Sequence, residues 1–351
     1  MTRARSISIV IPNHNGAATI GKCLAAALAS DHPRFEIVVV DDGSTDGSTA
    51  IIETFPVKLV RTAARGGVSR ARNAGAAASS GELLFFIDAD CLLAPDALSI
   101  ASASYGARAD RVLGGTYTLR PYDADFFSGF QSVFVHHFET KRARPDYVAA
   151  HAMVIDAGLF RRSGGFVEGS YIGFAASVED VELSHRLRQA GAELVMEPRL
   201  QVQHIFRFSL LRSLRNAFRK ARFWTTYSLA QRDLLADSGT ASRELKVNVV
   251  AGALQALLAG SCLAVGSAWP LVPAVALLGA NLHVNRRLVS AWYAARGTWF
   301  AALALLYYTT LYAAAVGIGG AAGFAKWLWA IRLLGRYRSC APRSGTCHLS
   351  S

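Results

Sequence analysis

The sequence predicts an α/β domain on a mainly parallel central sheet, followed by C-terminal transmembrane α-helices. Three observations carry this expectation. Short apolar runs alternate with helix-forming segments near the start of the chain, and two of those runs end in paired carboxylates, Asp41 with Asp42 and Asp88 with Asp90. Further on lie two long stretches without a formal charge. The 351 residues are 52% hydrophobic with a mean hydropathy of +0.26, more apolar than a purely soluble protein of this length needs.

Taken in order, Ile7 to Ile11 reads as a first strand that stops at Pro12 and a polar Asn/His/Gly loop. The alanine-rich "ATIGKCLAAALAS" with Thr19 near its start is a short helix. A second strand, Ile37 to Val40, runs into Asp41 and Asp42, and a helix from Ser48 to Phe55 leads to a third strand, Val57 to Val60. "RGGVSRARNAGAAASSG" is a loop and helix before the run Leu83 to Ile87. That run has no period-two alternation, so both of its faces are expected to be covered. Strand, helix and strand in succession mean βαβ units with right-handed crossovers.

Sheets of this kind place ligands at the carboxyl ends of their strands. In Asp88-Ala89-Asp90 the first and third side chains point the same way, and hard oxygen ligands suit Mg2+ or Mn2+. The alternative is a turn or helix cap before "APDAL", which Asp also favours. A dinucleotide-binding domain is the obvious competitor, but "PNHNGAATIG" lacks the Gly-x-Gly-x-x-Gly spacing, and a Walker lysine loop is absent as well. Phosphates would have to be held in another way, and a divalent ion on Asp88 and Asp90 would do it.

Val247 to Leu282 carries no formal charge and is long enough for two spans with a break near "GSAWP"; Thr298 to Phe324 allows one more. The formal net charge of +12 raises nucleic acid as a partner. The basic residues, however, concentrate from Arg207 to Lys246 and after Arg286, flanking the apolar runs, where anionic lipid headgroups would lie. Membrane lipids rather than nucleic acid are therefore the expected partner. In "RFSLLRSLRNAFRKARFWTTYSLAQR", Arg212, Arg215, Arg219 and Arg222 form one helical stripe and Leu211, Leu214, Phe218 and Ala221 another, a pattern for a helix in the headgroup region or for an ordinary domain helix. Arg286, Arg287 and Arg296 place their loop on the cytoplasmic side. A third span would then carry Lys326, Arg332, Arg336 and Arg338 outside, against the same tendency. A re-entrant segment around Gly317, Gly319 and Gly320, or a tail helix on the cytoplasmic surface, would remove the conflict.

"MTRARSISIVIP" has too short an apolar run for a signal peptide, so the first 240 or so residues are expected in the cytoplasm, at the inner cell membrane. Cys23, Cys91, Cys262, Cys340 and Cys347 are scattered, with neither zinc-ligand spacing nor a disulfide framework.

The ordered set "SIVIPNHNGAATI", "EIVVVDDGSTDGS", "GVSRARNAGAAASSGELLFFIDADC", "FRRSGGFVEG" and "SVEDVELSHRLRQAG" resembles the family 2 inverting nucleotide-sugar glycosyltransferases of GT-A fold, over about residues 6 to 205. The resemblance implies a catalytic domain over 1–206, and the charge and hydropathy pattern divides the rest into a basic amphipathic region over 207–246, about three transmembrane helices over 247–325 and a basic tail over 326–351. It also implies site residues: Asp41 accepting from uracil N3, Arg72 near the base, Pro12 and Asn13 in the same pocket, and Asp88 on the ribose or ordering the site. Asp90 and His204 would hold the divalent metal, Asp180 would be the base and Glu179 would aid acceptor binding. The expected partners are a nucleotide-sugar donor, UDP-linked by this resemblance, and a lipid or glycan acceptor.

The chemistry asks for these residue types independently. A departing nucleoside diphosphate gains charge that a divalent cation stabilises, and an inverting transfer needs one base for the acceptor proton. Glu179 and Asp180 could also be plain helix-start acids, which the helix dipole favours. Processive relatives carry Gln-x-x-Arg-Trp where this chain has "KARFW", which favours a single transfer. Two other classes stay open, a nucleotidyltransferase and a non-catalytic membrane scaffold. Elsewhere, His136 and His137 on a strand would point oppositely, which speaks against a metal cluster with Glu139; His185 reads as a surface helix residue. Cys91 reads as small buried packing and Gly164 with Gly165 as a tight turn, and His151 in "AHAMVI" could face the donor sugar.

Overall fold

The computed structural model describes residues 4–168 and 178–334. The expected alternation is present: β1 (Ile7–Asn13), α1 (Ile20–Leu28), β2 (Phe35–Asp41), α2 (Ser48–Ile52), β3 (Lys58–Arg61), α3 (Val68–Ala78) and β4 (Leu83–Phe86). There follow β5 (Cys91–Leu93), α4 (Ala97–Tyr105), β6 (Arg111–Tyr117), α5 (Phe126–Glu139), β7 (Met153–Asp156), α6 (Ala157–Arg162), α7 (Glu179–Gln189) and β8 (Glu193–His204). These strands form one sheet in the order β3-β2-β1-β4-β7-β6-β8-β5. It is mainly parallel, as expected, with two strands reversed. β3, β2, β1 and β4 run parallel, as do β6 and β8, whereas β7 and β5 oppose their neighbours. The βαβ pattern is broken at α5, which joins two antiparallel neighbours, β6 and β7, and packs between β6 and a C-terminal helix.

β1 lies between β2 and β4, and β4 between β1 and β7; both bury both faces, which is why the run Leu83 to Phe86 shows no alternation. α3 closes on this sheet at Gly75, where a Cβ would stand 2.4 Å from Val10 Cγ1 and 3.0 Å from Val40 Cγ2. Only glycine permits that approach. Asp125 and Asp156 start α5 and α6 as N-caps, accepting from the N–H groups of Ser128 and Leu159. His136 and His137, expected on a strand, therefore lie in the last turn of a helix.

The C-terminal part consists of α8 (Leu210–Gln231), α9 (Arg243–Val265), α10 (Leu271–Tyr307) and α11 (Ala313–Leu334), the last two joined by a π-helical turn at Tyr308–Tyr312. Two stretches, Arg243–Val265 and Leu271–Ala330, are long and apolar enough to cross a membrane. The hairpin between α9 and α10 leaves Leu257, Leu263, Val265, Trp269, Val272 and Val275 exposed. The later apolar run behaves differently. α10 breaks at Gly297, whose φ of +82° is outside the helical region, and beyond it Ala301, Ala304, Tyr307, Tyr308 and Tyr312 join the core with Phe130 and Phe134 of α5. α11 lies along α8 at closest approach through Gly319 and Gly323: a Cβ on either would stand 2.4 Å from the carbonyl oxygen of Phe218 or Arg222. Small residues four apart let two helix backbones meet in this way. The apolar side of α8 is thus covered by protein along Leu214, Phe218 and Ala221 but not at Leu211, and Arg212, Arg215 and Arg219 are exposed. Buried Asn248, Asn281, Asn285 and Tyr308 bond to one another where these helices meet, Asn248 Nδ2 donating to the Tyr308 carbonyl at 2.8 Å. The tail positions Arg336 and Arg338 lie outside the described residues.

Candidate active site

Parallel register sets Asn13 of β1 beside Asp41 of β2. Asn13 Nδ2 donates to Asp41 Oδ1 at 3.1 Å, and Asp41 Oδ2 accepts from Thr49 Oγ1 at 3.1 Å and from the Ser44 N–H at 3.4 Å. Both residues are buried, Asn13 Oδ1 without a hydrogen-bond partner, and Pro12 is half-buried next to them. The neighbouring Asp42 has a role that the sequence reading missed. Its carboxylate accepts from the N–H groups of Gly66 and Gly67, each at 2.8 Å, and from Thr62 Oγ1 at 3.1 Å. This pins the loop that launches α3, and with it Arg72. The signal lay in the two successive acids at the strand end, of which only the first was put to use.

Arg72 is 3% exposed. One guanidinium nitrogen donates to Asp88 Oδ1 and the other to Glu179 Oε1, both at 2.7 Å. Arg72, the residue expected near the nucleotide base, links the Asp-Ala-Asp turn after β4 to Glu179 at the start of α7, 107 residues beyond it in the chain. Glu179 and Asp180 do open α7. Asp180 Oδ2 accepts from the Ala150 N–H at 3.2 Å. Burial raises the pKa of both acids, against the opposing charge of Arg72. A buried carboxyl with a raised pKa is a better proton acceptor than a solvated aspartate. For Asp88 burial works upward too, but Arg72 carries the net shift below the ordinary carboxylate range.

The antiparallel register of β5 on β8 pairs Cys91 with His204. Asp90, Cys91 and His204 bring one ligand atom each within 4.8 Å of one another, and His204 Nε2 stands 3.5 Å from Asp90 Oδ1. Burial, then the charge of Asp88, pushes Asp90 up to about 7, and burial takes His204 down to about 3. A carboxylate crowded by negative charge beside a neutral imidazole fits a divalent cation, which would return Asp90 to its ionised form. The Cys91 thiol is pushed well up by burial, so it offers weak packing rather than a thiolate.

A second buried group faces the same cleft. His151 Nε2 lies 3.4 Å from Glu139 Oε2, which also accepts from Thr116 Oγ1 at 2.8 Å. The His151 ring stacks on Tyr117 with centroids 4.1 Å apart, and Tyr117 meets His204 edge-on at 5.0 Å. His151 sits in a 3-10 turn before β7, and Glu139 ends α5, so their meeting could not be read locally. His185 is no free surface residue: its Nδ1 lies 3.0 Å from Tyr227 Oη on α8. Gly164 and Gly165 both have positive φ, as the expected tight turn requires.

Residues 8–163 match the model of glycosyl transferase family 2. An uncharacterised glycosyltransferase of Nostoc sp. is 41% identical over 97 residues, 26% of this chain and 30% of that protein. Glycosyltransferase GlyG of Streptococcus pneumoniae is 28% identical over 127 residues, 34% of this chain and 42% of that protein. The chain thus spans less than half the length of these relatives. Among solved structures, the mannosyltransferase PcManGT of Pyrobaculum calidifontis, in complex with GDP-Man and Mn2+, superposes with a TM-score of 0.56 at 20% identity, covering 93% of this chain and 88% of that one. The likeness shows a shared GT-A fold.

Proposed function

Starting from a family 2 glycosyltransferase domain in a GT-A fold, we propose that the chain is a membrane-anchored enzyme moving a single sugar, with inversion, from a nucleotide-sugar to an acceptor. The observation that carries this reading is the double ion pair of Arg72, which draws the Asp88 turn and the acids of α7 into one cleft. In this mechanism Asp180 takes the acceptor hydroxyl proton as the new bond to the anomeric carbon forms. The bond from that carbon to the phosphate oxygen breaks on the opposite face, and the diphosphate leaves with the electron pair. Glu179, fixed by Arg72, orients the acceptor, and Asp41 and Asn13 with Pro12 bind the nucleoside. Asp90 and His204 would hold a divalent ion, whose charge would stabilise the departing diphosphate; an imidazole in the donor set suits Mn2+ better than Mg2+.

The α9–α10 hairpin supports anchoring. Twenty-three residues of α9 make a rod of about 35 Å, enough for a bilayer core of about 30 Å. Arg243 and Lys246 at its base lie toward the same side as Arg286 and Arg287 of the returning helix, the side expected to face the cytoplasm. A site held there favours a lipid or lipid-linked acceptor.

The test is the thermal stability of the detergent-purified chain with UDP or GDP, each with and without Mn2+. A nucleotide at a hundred times its Kd stabilises the folded state by about 2.7 kcal/mol. The expected result is an upward shift for one nucleotide only when Mn2+ is present. No shift with either nucleotide overturns the reading.

A further inference from the structure

The helix α8 lies outside the residues that match family 2, yet one of its faces borders the cleft. Trp224 packs on Tyr147 with ring centroids 5.5 Å apart, and Tyr227 bonds to His185. Lys220 is one helical turn before Trp224 and so shares this face. The turn lies toward the start of α8, near Ser209, and the chain enters α8 from His204 through Phe206. Lys220 thereby falls between the His204 end of the cleft and the Asp180 end. Its charge acts on Glu139, Asp180 and Asp88, and on His151 and His204 as well.

The other cations of the cleft are committed. Arg72 is held by Asp88 and Glu179, and His151 by Glu139. Lys220 forms no hydrogen bond or ion pair among the described residues; the residue is exposed at the surface, while burial at the cleft lowers the pKa of its ammonium. A lysine facing several acids without pairing to any of them is free to take an anionic ligand. α8 is also held rigidly enough to present it: Gly319 and Gly323 seat α11 against its backbone, and Tyr307 Oη lies 2.9 Å from Ser213 Oγ.

We propose that Lys220 is a phosphate-binding residue whose ammonium contacts the diphosphate of the nucleotide donor. This rests on the function proposed above and adds that the C-terminal helices complete the site instead of serving only as an anchor. An ammonium is a compact point charge that binds phosphate oxygens from any direction, so it can follow the diphosphate as charge builds on departure.

The experiment compares the full chain in detergent with its K220Q and K220R variants. Calorimetry measures UDP and GDP with Mn2+, and competition measures uridine and guanosine. K220Q is expected to weaken the diphosphate that the parent binds by tenfold or more and to leave its nucleoside unchanged, while K220R stays within about threefold of the parent. Unliganded melting temperatures of both variants report on folding. Equal affinity of K220Q and parent for the diphosphate overturns the Lys220 site and leaves the transferase reading intact. Equal losses for nucleoside and diphosphate also overturn it. A parent that binds neither diphosphate overturns the transferase reading and this site together.

Discussion

Replacing Arg72 by methionine keeps an unbranched stem and removes the charge that joins the two halves of the cleft. Glu179, with 9% of its side chain exposed, would lose its partner in a dry environment, and Asp88, with 34% exposed, in a wetter one. Breaking a buried pair by removing one member costs about 3 to 5 kcal/mol. We take about 3 kcal/mol for Glu179 and, allowing for solvent screening, about 1 kcal/mol for Asp88. A loss of about 4 kcal/mol in a catalytic part of roughly 200 residues lowers its melting temperature by about 9 °C. The sign with pH follows from the two shifts. Asp88 has its folded pKa depressed, so its contribution in the parent is present above the unfolded pKa and fades as pH falls. Glu179 is already raised by burial and rises further without Arg72, so the variant recovers stability when this acid is protonated. The gap between parent and R72M should be widest near neutral pH and should narrow in acid. Differential scanning fluorimetry in detergent over pH 4 to 8, with R72K as a charge-retaining control, measures it. A gap below about 2 °C at neutral pH, or one that widens in acid, would refute the bridging role.

Other substitutions separate the remaining parts of the site. Asp180→Asn should keep nucleotide binding by calorimetry and lower sugar transfer by about 100-fold or more. Because burial holds Asp180 above the ordinary aspartate range and the base must be deprotonated, transfer by the parent should fall as pH drops through that raised pKa. A rate flat down to pH 4 would exclude Asp180 as the base. Asp90→Ala should abolish the Mn2+-dependent part of nucleotide binding, and chelation of the parent should reproduce the effect; undiminished binding in both would remove the metal site. Gly323→Val sets a Cβ 2.4 Å from the Arg222 carbonyl oxygen and should lower stability by about 1 to 3 kcal/mol as α11 is pushed from α8, seen as a lower melting temperature in detergent.

The local chemistry of the chain determined a great deal. Composition and period fixed the strands that end at Asn13, Asp41 and Phe86, the acids at the start of α7 and the apolar hairpin, because strand pairing faces, helix starts and hydrophobic length are properties of neighbouring residues. Tertiary structure decided whatever depends on residues far apart in sequence. The register of β5 on β8 brings His204 to Asp90 and Cys91; a packed loop pinned by Asp42 aims Arg72 at Glu179. The end of α5 meets His151 because the helix packs back along β6, and its other side draws the last apolar run into the core with Tyr307 and Tyr308. Hydropathy alone could not show which face of that run packs on protein, since core and bilayer select the same apolar side chains; Leu303, Leu306 and Ile318 on it stay exposed. Nor could it show that Gly319 and Gly323 seat α11 against the backbone of α8, since a pair of glycines four apart states a possible contact and only the fold supplies the partner.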